Sequence, residues 1–493
     1  MSFSERTPPD INILPTYEAD KPHHECGIIG IYAPGEDVSQ LTYFGLYPLQ
    51  HRGQESAGIA VSGGAKINVR KRMGLVTALT QKDINSLKGT AAIGHTRYSN
   101  TGGSNLVNAQ PALYQDETTK EYIAIAENGN LINPRILREK LAARGYNPSF
   151  AENERCSSDG ELIAQLIHAS SGRNWIEKIQ NASLNLHGAY SLTILAGDSL
   201  IGVKDPLGFW PLCLGRLNGQ GYVLASESAA LDTIGAEFIR ELDPGEVLLI
   251  NEFGLERHFL PNAQAGKSAR CAFDLNYFLR PDSRLSTGEQ AYEIRERLGE
   301  LLVTKHPVEA DIVIQVPDSG EHGAIGYARQ SGIPYVKGLV KNKYIGRTFI
   351  EPDQRIREMG VKLKLNPLRR VIDGRRIIVV DDSIVRGTTS REITRLLRYS
   401  GAKEVHWRLT FPQVIDSCSF GIDMVSKDEL ISAYKTPQRV AKYLGADSVA
   451  FNSVEDFIQA TRMPPERLCT GCVTGKYPID VPSLERDKFS LGV

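Results

Sequence analysis

The sequence lacks the features of a membrane-spanning or secreted protein. In its 493 residues no apolar run approaches the roughly 18 residues that suggest a membrane span. Residues 1–25 are polar and rich in Pro, Asp and Glu, without the apolar core of a secretory signal. We therefore expect a cytoplasmic chain, whose thiols are kept reduced.

The chain also lacks a charge excess and has few cysteines. Its formal net charge of -1 offers no electrostatic reason to expect nucleic acid or an anionic membrane as a partner. Its seven cysteines form an odd set, which favours catalytic or metal-ligating roles over disulfides. A hydrophobic content of 41% is ordinary for a soluble enzyme, and the length predicts two to four domains.

The pattern of apolar runs divides the chain into an arm, two domains and a tail. After the arm, residues 1–25, many short strands with few, grouped helices predict a layered α+β domain over 26–261. A small, polar linker at 262–270 follows. Strands and helices then alternate over 271–464, which favours a parallel α/β sheet. The predicted strands here are 311–316, 334–340 and 375–380, the predicted helices are 322–332 and 390–401, and the tail covers 465–493.

The string RRIIVVDDSIVRGTTS (375–390) carries the clearest chemistry. It predicts a strand, a loop and a helix N-terminus, whose N–H groups and dipole suit a phosphate. Thr389 and Glu392 stand at capping-box spacing. Two acids at the end of a strand suit ribose hydroxyls and magnesium. An ordinary strand-to-helix turn is the plain alternative.

The same string resembles the phosphoribosyl pyrophosphate signature of type I phosphoribosyltransferases. The resemblance implies Mg²⁺ near Ser319, Asp381 and Asp382, with Ser319 in a pyrophosphate loop at 316–320. The polar segment 341–354 is interpreted as a lid over the substrate. The residues implied for phosphoribosyl pyrophosphate are Asp381, Asp382, Ser383, Arg386, Gly387, Thr388, Thr389, Ser390, Lys341, Tyr344 and Arg347.

Cys26 lies just before a predicted buried strand, a position where a lone cysteine is usually a small core residue. Four later segments change that interpretation, because they resemble the glutaminase domain of class II amidotransferases, an N-terminal-nucleophile fold with four layers. The segments are LQHRGQESAG (49–58), GHTRYSNTG (94–102), ENGNL (127–131) and SSDGEL (157–162).

This resemblance implies a role for each matching residue. Cys26 is the nucleophile, Arg97 and Asp159 bind the α-carboxylate and α-amino groups of glutamine, and Asn128 and Gly129 form the oxyanion hole. The base is the α-amine of the nucleophile itself, which titrates near 8. That chemistry requires a free α-amine at Cys26, so we predict that residues 1–25 are a propeptide removed after Glu25.

Four further cysteines suggest a metal centre. Their thiolates suit either zinc or an iron–sulfur cluster, and free core cysteines are the third alternative. The segments around them resemble the positions that ligate a [4Fe–4S] cluster in one branch of a known family. We expect such a cluster to clip the C-terminal tail to the phosphoribosyltransferase domain. The implied ligands are Cys271, Cys418, Cys469 and Cys472, whereas Cys156 and Cys213 are interpreted as core or incidental residues.

A glutaminase signature followed by a phosphoribosyltransferase signature resembles the amidophosphoribosyltransferases, from about Cys26 to about Pro478. The resemblance implies internal transfer of ammonia from glutamine to phosphoribosyl pyrophosphate, giving phosphoribosylamine, glutamate and pyrophosphate. It also implies the first committed step of purine (IMP) synthesis, feedback by purine nucleotides and a homo-oligomer, either a tetramer or a dimer. Departures from the family pattern are Lys204, Trp210, Glu127 and Asp274.

Two other functions stay open on the residues alone. One is a class II glutaminase that feeds ammonia to a different acceptor, against which the 375–390 string argues. The other is a non-catalytic regulator that senses phosphoribosyl pyrophosphate, against which the set of Cys26, Arg97, Asn128 and Asp159 argues. No DNA-binding element stands out.

Overall fold

The computed structural model of the chain describes residues 26–64, 66–98, 103–116, 121–146, 150–151, 154–155, 158–217, 219, 221–342, 365–424 and 426–481. These residues form two compact units. We call the first the sandwich unit; it contains the described residues up to Tyr292, Cys418–Asp423 and the chain from Met463. We call the second the parallel-sheet unit; it contains Glu293–Ser417 and Met424–Arg462. The predicted propeptide lies outside the described residues.

The strands are numbered in chain order. They are β1 (Gly27–Tyr32), β2 (Ser56–Ser62), β3 (Ile67–Met73), β4 (Ala91–Arg97), β5 (Ala112–Gln115), β6 (Tyr122–Leu131), β7 (Phe150–Ala151), β8 (Glu154–Arg155), β9 (Gly188–Ala196), β10 (Ser199–Lys204), β11 (Cys213–Leu217), β12 (Gly221–Ala225), β13 (Glu237–Glu241), β14 (Glu246–Asn251), β15 (Gly254–Phe259), β16 (Arg270–Cys271), β17 (Ile312–Gln315), β18 (Leu339–Lys341), β19 (Leu365–Pro367), β20 (Arg376–Asp381), β21 (Glu404–Leu409), β22 (Ser448–Phe451) and β23 (Leu468–Cys469).

The α-helices are numbered in the same way. They are α1 (Val38–Leu46), α2 (Gln81–Asn85), α3 (Pro134–Ala142), α4 (Asp159–Ala169), α5 (Trp175–Ser183), α6 (Ser228–Thr233), α7 (Ala291–Lys305), α8 (Glu321–Ser331), α9 (Arg369–Ile372), α10 (Thr388–Tyr399), α11 (Ile431–Tyr434), α12 (Pro437–Leu444), α13 (Val454–Thr461) and α14 (Gly471–Thr474).

The sandwich unit consists of two antiparallel sheets with helices outside them. One sheet has the order β13-β11-β12-β1-β4-β2-β3 and the other the order β15-β14-β10-β9-β6-β5. Side chains alternate between the two faces of a strand, so Ala124 and Ala126 of β6 pack between the sheets, while Ile123 and Ile125 pack under the helices. This four-layer arrangement confirms the predicted α+β fold.

The parallel-sheet unit is built on strands in the order β17-β20-β21-β22, all parallel. Apolar residues cover both faces, as a parallel sheet requires. Ile377 and Val379 of β20 face the core that contains Ile393 of α10, whereas Ile378 and Val380 face the one that contains Tyr327 of α8. The predicted parallel α/β sheet is confirmed.

Two local predictions were wrong. The strand predicted over 334–340 is regular only at Leu339–Lys341, with a single bridge at Tyr335, because Leu339–Lys341 pairs with β19 whereas Pro334 and Val336 bond to Val313 of β17. The predicted capping box of Thr389 and Glu392 is not formed, because α10 begins at Thr388, two residues before the predicted start at 390, after Gly387 with φ +79°. No helix among the described residues combines the length and the apolarity needed to cross a bilayer.

The core of the parallel-sheet unit provides a test of stability. Trp407 on β21 is fully buried, and its Nε1 donates to Thr394 Oγ1 at 2.9 Å. Trp407→Ala leaves a large cavity and is expected to destabilise the unit by about 3–5 kcal/mol. The measurement is the urea midpoint followed by circular dichroism. Tyr399→Ala, at a side chain that is 87% exposed, is the control and is expected to change stability by less than about 0.5 kcal/mol. Equal midpoints for the two variants would contradict this assignment of the core.

Candidate functional site

The predicted nucleophile lies at the start of the central strand of its sheet. Cys26 directly precedes β1, is buried, and its thiol donates to Tyr98 O at 3.5 Å. Ile28 of β1 and Ile93 of β4 pack between the two sheets. Strand alternation therefore puts Cys26, His95 and Arg97 on the same inter-sheet side. The fold thus brings the predicted nucleophile and the predicted carboxylate-binding cation to one end of the sandwich.

Asn128 and Gly129 lie on β6 of the opposite sheet, between β9 and the edge strand β5. Asn128 is fully buried on the inter-sheet face, and neither polar atom of its amide has a hydrogen-bond partner among the described residues. Buried amides are normally paired, so this one is suited to a ligand. Gly129 has φ +154°, and a Cβ there would lie 2.0 Å from Ala189 O. Only glycine fits at this position.

The backbone of β6 leaves one edge open at this point. β5 pairs with β6 only as far as Ala112 opposite Ile125. Beyond it, Glu127 N donates to Gln110 Oε1 at 2.8 Å and Leu131 N donates to Asp159 Oδ2 at 2.9 Å. Since alternate N–H groups point to the same edge, that of Gly129 points to this edge, between the two side-chain contacts. An N–H group there is placed to donate to an oxyanion.

Asp159 is the first residue of α4, and Arg97 is the last residue of β4. Both side chains are buried. Burial raises the pKa of Asp159 to about 6, although the Leu131 N–H group and the guanidinium groups of Arg138 and Arg97 oppose the shift. The Arg97 guanidinium donates to Gly103 O at 3.2 Å. One buried anion and one buried cation suit the two charged groups of an amino acid.

Sequence reasoning missed three polar residues around this end of the sandwich. Gln110 bonds β6 as described, and its carboxamide abuts the N-terminal turn of α4, where a Cβ on Gly160 would lie 3.0 Å from Gln110 Oε1. His95 Nε2 bonds Glu127 O at 3.0 Å, and burial lowers the pKa of His95 to about 3. Asn130 Nδ2 donates to Ser419 O at 3.0 Å. For Asn130 the sequence did contain a signal, the polar run 127–130 at the end of the apolar strand β6, because buried polar side chains need hydrogen-bond partners.

The phosphate segment of the parallel-sheet unit has the predicted strand–loop–helix form. β20 ends at Asp381, whose Oδ1 accepts from Ser319 Oγ at 3.0 Å and from Asp382 N at 2.9 Å. Ser383 Oγ donates to Asp382 Oδ2. The two acids are buried at the carboxyl end of the sheet, which is the usual ligand edge of such folds. The structure therefore brings the predicted magnesium residues Ser319, Asp381 and Asp382 together.

The loop after these acids ends at the N-terminus of α10. Thr388, Thr389 and Ser390 are the first three residues of the helix, and the N-terminal turn of a helix is suited to a phosphate. Arg386 forms an ion pair with Glu429, Nη2 to Oε2 at 2.8 Å, so its charge is partly balanced within the protein. Lys341 Nζ lies 3.0 Å from Asp318 Oδ2. Tyr344 and Arg347 lie outside the described residues.

The four cysteines of the predicted cluster all belong to the sandwich unit. β16 and β23 pair in parallel, with Cys271 opposite Cys469. Cys472 lies in the short helix α14, directly after β23. Backbone N–H groups donate to two of the sulfurs, from Asp274 to Cys271 Sγ at 3.4 Å and from Phe420 to Cys418 Sγ at 3.3 Å. Such hydrogen bonds are typical of sulfurs that ligate iron–sulfur clusters.

The fit of this donor set to a metal depends on the kind of centre. Across the described part of the chain, no group of three or more His, Cys, Asp or Glu side chains is placed to hold a metal ion. A [4Fe–4S] cluster instead takes four thiolates on four separate irons, which suits cysteines on three short segments. Four cysteine thiolates are the donor set that such a cluster takes.

The family departures find partners within the sandwich unit. Trp210 is fully buried, and its Nε1 donates to Phe420 O at 3.1 Å. The ring of Phe420 stacks on that of Phe209, with centroids 4.7 Å apart, and lies 5.6 Å from that of Tyr477. Trp210 therefore helps to anchor the segment that carries Cys418. Of the other three, Lys204 donates to Leu242 O at 3.1 Å, Asp274 pairs with Arg52 at 2.9 Å, and Glu127 bonds Gln110 as described above.

Comparisons with known proteins cover nearly the whole chain. A family model for a glutamine amidotransferase domain matches residues 101–233. The chain is 48% identical to the amidophosphoribosyltransferase of Synechocystis sp., over 97% of this chain and 96% of that protein. It is 46% identical to the amidophosphoribosyltransferase of Archaeoglobus fulgidus, over 93% and 99% of the two chains. The solved structure of glutamine phosphoribosylpyrophosphate amidotransferase from B. subtilis, complexed with ADP and GMP, matches with a TM-score of 0.85 and 40% identity over 93% of this chain and 98% of that one. The chain therefore belongs to the amidophosphoribosyltransferase family.

Proposed function

We propose that this chain makes phosphoribosylamine with Cys26 as the glutaminase nucleophile and the Asp381–Ser390 segment as the phosphoribosyl pyrophosphate site. As a member of its family, the chain transfers ammonia from glutamine to phosphoribosyl pyrophosphate and releases glutamate and pyrophosphate, the first step of purine biosynthesis. The observation that carries the residue assignment is the presence of both polar sites in one chain that its relatives match end to end. Family membership also removes the two rival functions.

The proposed first half-reaction is an acyl transfer. The Cys26 sulfur attacks the carboxamide carbon of glutamine, and the oxyanion that forms is held by the Asn128 amide and the Gly129 N–H group. Ammonia leaves as the tetrahedral intermediate collapses to a thioester, which water then hydrolyses to glutamate. We propose that the α-amine of Cys26 takes the thiol proton, which requires removal of residues 1–25 as a propeptide. The buried pair of Arg97 and Asp159 supports glutamine binding.

The proposed second half-reaction is displacement of pyrophosphate at the ribose. The N–H groups at the start of α10 would hold the 5-phosphate, while Asp381 and Asp382 contact the ribose hydroxyls. Magnesium would neutralise the departing pyrophosphate, and the linked oxygens of Ser319 and Asp381 support its place near this edge. Lys341, Tyr344 and Arg347 belong to the proposed lid.

Three further properties are proposals of the same kind. The B. subtilis relative was solved with ADP and GMP, so we propose purine nucleotides as feedback inhibitors. Cys271, Cys418, Cys469 and Cys472 would hold a [4Fe–4S] cluster, whose contribution is structural because it clips the segment after Met463 to the rest of its unit. We propose a homo-oligomer, either a tetramer or a dimer.

Replacing the nucleophile should separate the two half-reactions. Cys26→Ser is expected to abolish glutamine-dependent synthesis while leaving ammonia-dependent synthesis within about 3-fold, because only the acyl transfer needs the thiolate. The measurement is pyrophosphate release with either nitrogen source, on protein whose N-terminus is established by intact mass. Loss of both activities would mean that Cys26 acts in folding or processing.

Removing one acid from the phosphate segment should act on both nitrogen sources. Asp382→Asn is expected to lower glutamine-dependent and ammonia-dependent synthesis alike, by about 100-fold, the size of one lost electrostatic contact in an active site. The control is Asp373→Asn, at an exposed position in the same unit, which should leave both rates unchanged. A loss restricted to glutamine would contradict the assignment.

Metal analysis tests the cysteine set independently of activity. Anaerobically purified protein is expected to contain about four irons and about four acid-labile sulfides per chain. Cys469→Ala should lose them, whereas Cys213→Ala, at a buried cysteine outside the set, should retain them. Stoichiometric zinc, or the absence of any metal, would refute the cluster.

A further inference from the structure

Glu127 is a buried carboxyl group on an otherwise apolar face of β6. Glu127 is 4% exposed. It lies on the same face of β6 as Ile125 and Leu131, which pack in the core beneath α3 and α4. Glu127 Oε2 lies 3.4 Å from Gln110 Nε2. Among the described residues no donor reaches Glu127 Oε1. A buried polar atom left without a partner costs about 1–3 kcal/mol, so this residue needs an explanation.

The partner of Glu127 is Gln110, which faces it from the chain just before β5. Both polar atoms of the Gln110 carboxamide contact Glu127. Gln110 Oε1 accepts from Glu127 N at 2.8 Å, and Gln110 Nε2 faces Glu127 Oε2. Gly160 leaves room for this carboxamide at the N-terminal turn of α4. Glu127 and Gln110 therefore replace the strand pairing that ends with β5.

The pair of Glu127 and Gln110 lies next to the predicted oxyanion donor on the same edge of β6. Gly129 presents its N–H group two residues after Glu127, and the Leu131 N–H group beyond it is held by Asp159. We propose that Glu127 is a positioning residue, whose carboxyl group and the Gln110 carboxamide fix the open edge of β6 from which Gly129 donates to the oxyanion. This inference rests on the oxyanion role assigned to Asn128 and Gly129 under the proposed function.

The surroundings of Glu127 favour its neutral form. Burial raises the pKa of Glu127 well above its ordinary value, and the Asp159 carboxylate raises it further, while Gln110 and the Arg97 guanidinium oppose the shift. His95 bonds the carbonyl of Glu127 and is itself neutral. The packed elements also carry the titratable residues Glu161 and His168 on α4, Arg135, Arg138, Glu139 and Lys140 on α3, and Tyr190 on β9. A neutral carboxyl group avoids a second buried negative charge beside Asp159.

Two substitutions separate shape from charge. Glu127→Gln keeps the shape of the neutral acid and is expected to stay within about 3-fold of the parent protein in glutamine-dependent kcat at neutral pH. Glu127→Leu removes the side-chain contact with Gln110 Nε2 but keeps the backbone N–H bond to Gln110 Oε1. It should lower kcat by roughly 10- to 100-fold, less than the loss of a whole oxyanion donor. The glutamine KM should change little, because the oxyanion exists only after attack. Ammonia-dependent synthesis is the control and should persist.

The pH dependence adds a readout that a merely structural role would not move. As pH rises through the raised pKa of Glu127, the parent protein gains a buried charge, so the ratio of kcat for Glu127→Gln to kcat for the parent should rise with pH. The folding stability of the parent protein should likewise fall, relative to that of Glu127→Gln, as pH rises. The contribution of neutral Glu127 is complete below the ordinary pKa and is lost as pH rises through the folded value. The melting temperature of Glu127→Gln should therefore gain on that of the parent with increasing pH.

The outcomes distinguish this inference from the proposed function. A Glu127→Leu kcat within 3-fold of the parent, or a loss confined to the glutamine KM, overturns the positioning role. If Glu127→Leu also loses ammonia-dependent synthesis, the test rests on Glu127→Gln. In that case a ratio of Glu127→Gln kcat to parent kcat that does not change with pH overturns the proposal. Asn128→Ala tests the oxyanion site itself, and retention of glutaminase activity there would refute that assignment whatever Glu127 does.

Discussion

Hydrogen bonding along the open edge of β6 is the constraint on which the glutaminase site depends. β5 stops pairing at Ala112, and the N–H groups beyond must be satisfied without a strand, because buried donors left unpaired are costly. Gln110 and Asp159 supply side-chain acceptors on either side of Gly129. The edge of β6 beyond β5 therefore has side-chain partners for the N–H groups of Glu127 and Leu131. The N–H group of Gly129 between them is placed to bind a ligand.

The same principle places the chemistry of the parallel-sheet unit. Strands that run parallel end at one edge, and the helix that follows turns its N-terminus toward that edge. Asp381 ends β20, and Thr388 begins α10 after a glycine with positive φ. Both units therefore use backbone N–H groups that are not paired within a sheet or a helix. Buried charged side chains lie near these groups in each unit.

The cysteines show how distant segments are joined within the sandwich unit. β16 and β23 are two residues long each, too short to hold the tail by backbone pairing alone. The Cys418 segment is held by Trp210, by the stacked ring of Phe209 and by Asn130. These contacts help to hold the three short segments that carry the four cysteines within one unit.

The sequence by itself determined both fold classes, because local apolar periodicity indicates strands and helices. It also predicted the phosphate segment, the nucleophile and the residues expected to bind glutamine, because contiguous motifs carry the resemblance to known families. It placed Asp381 at a strand end and Asn128 with Gly129 in one polar run. Only the tertiary structure decided that Gln110 meets Glu127, that Trp210 anchors Phe420, that Arg386 pairs with Glu429 and that α10 starts at Thr388. Those facts depend on strand register and on contacts between residues far apart in the chain, which no local pattern encodes.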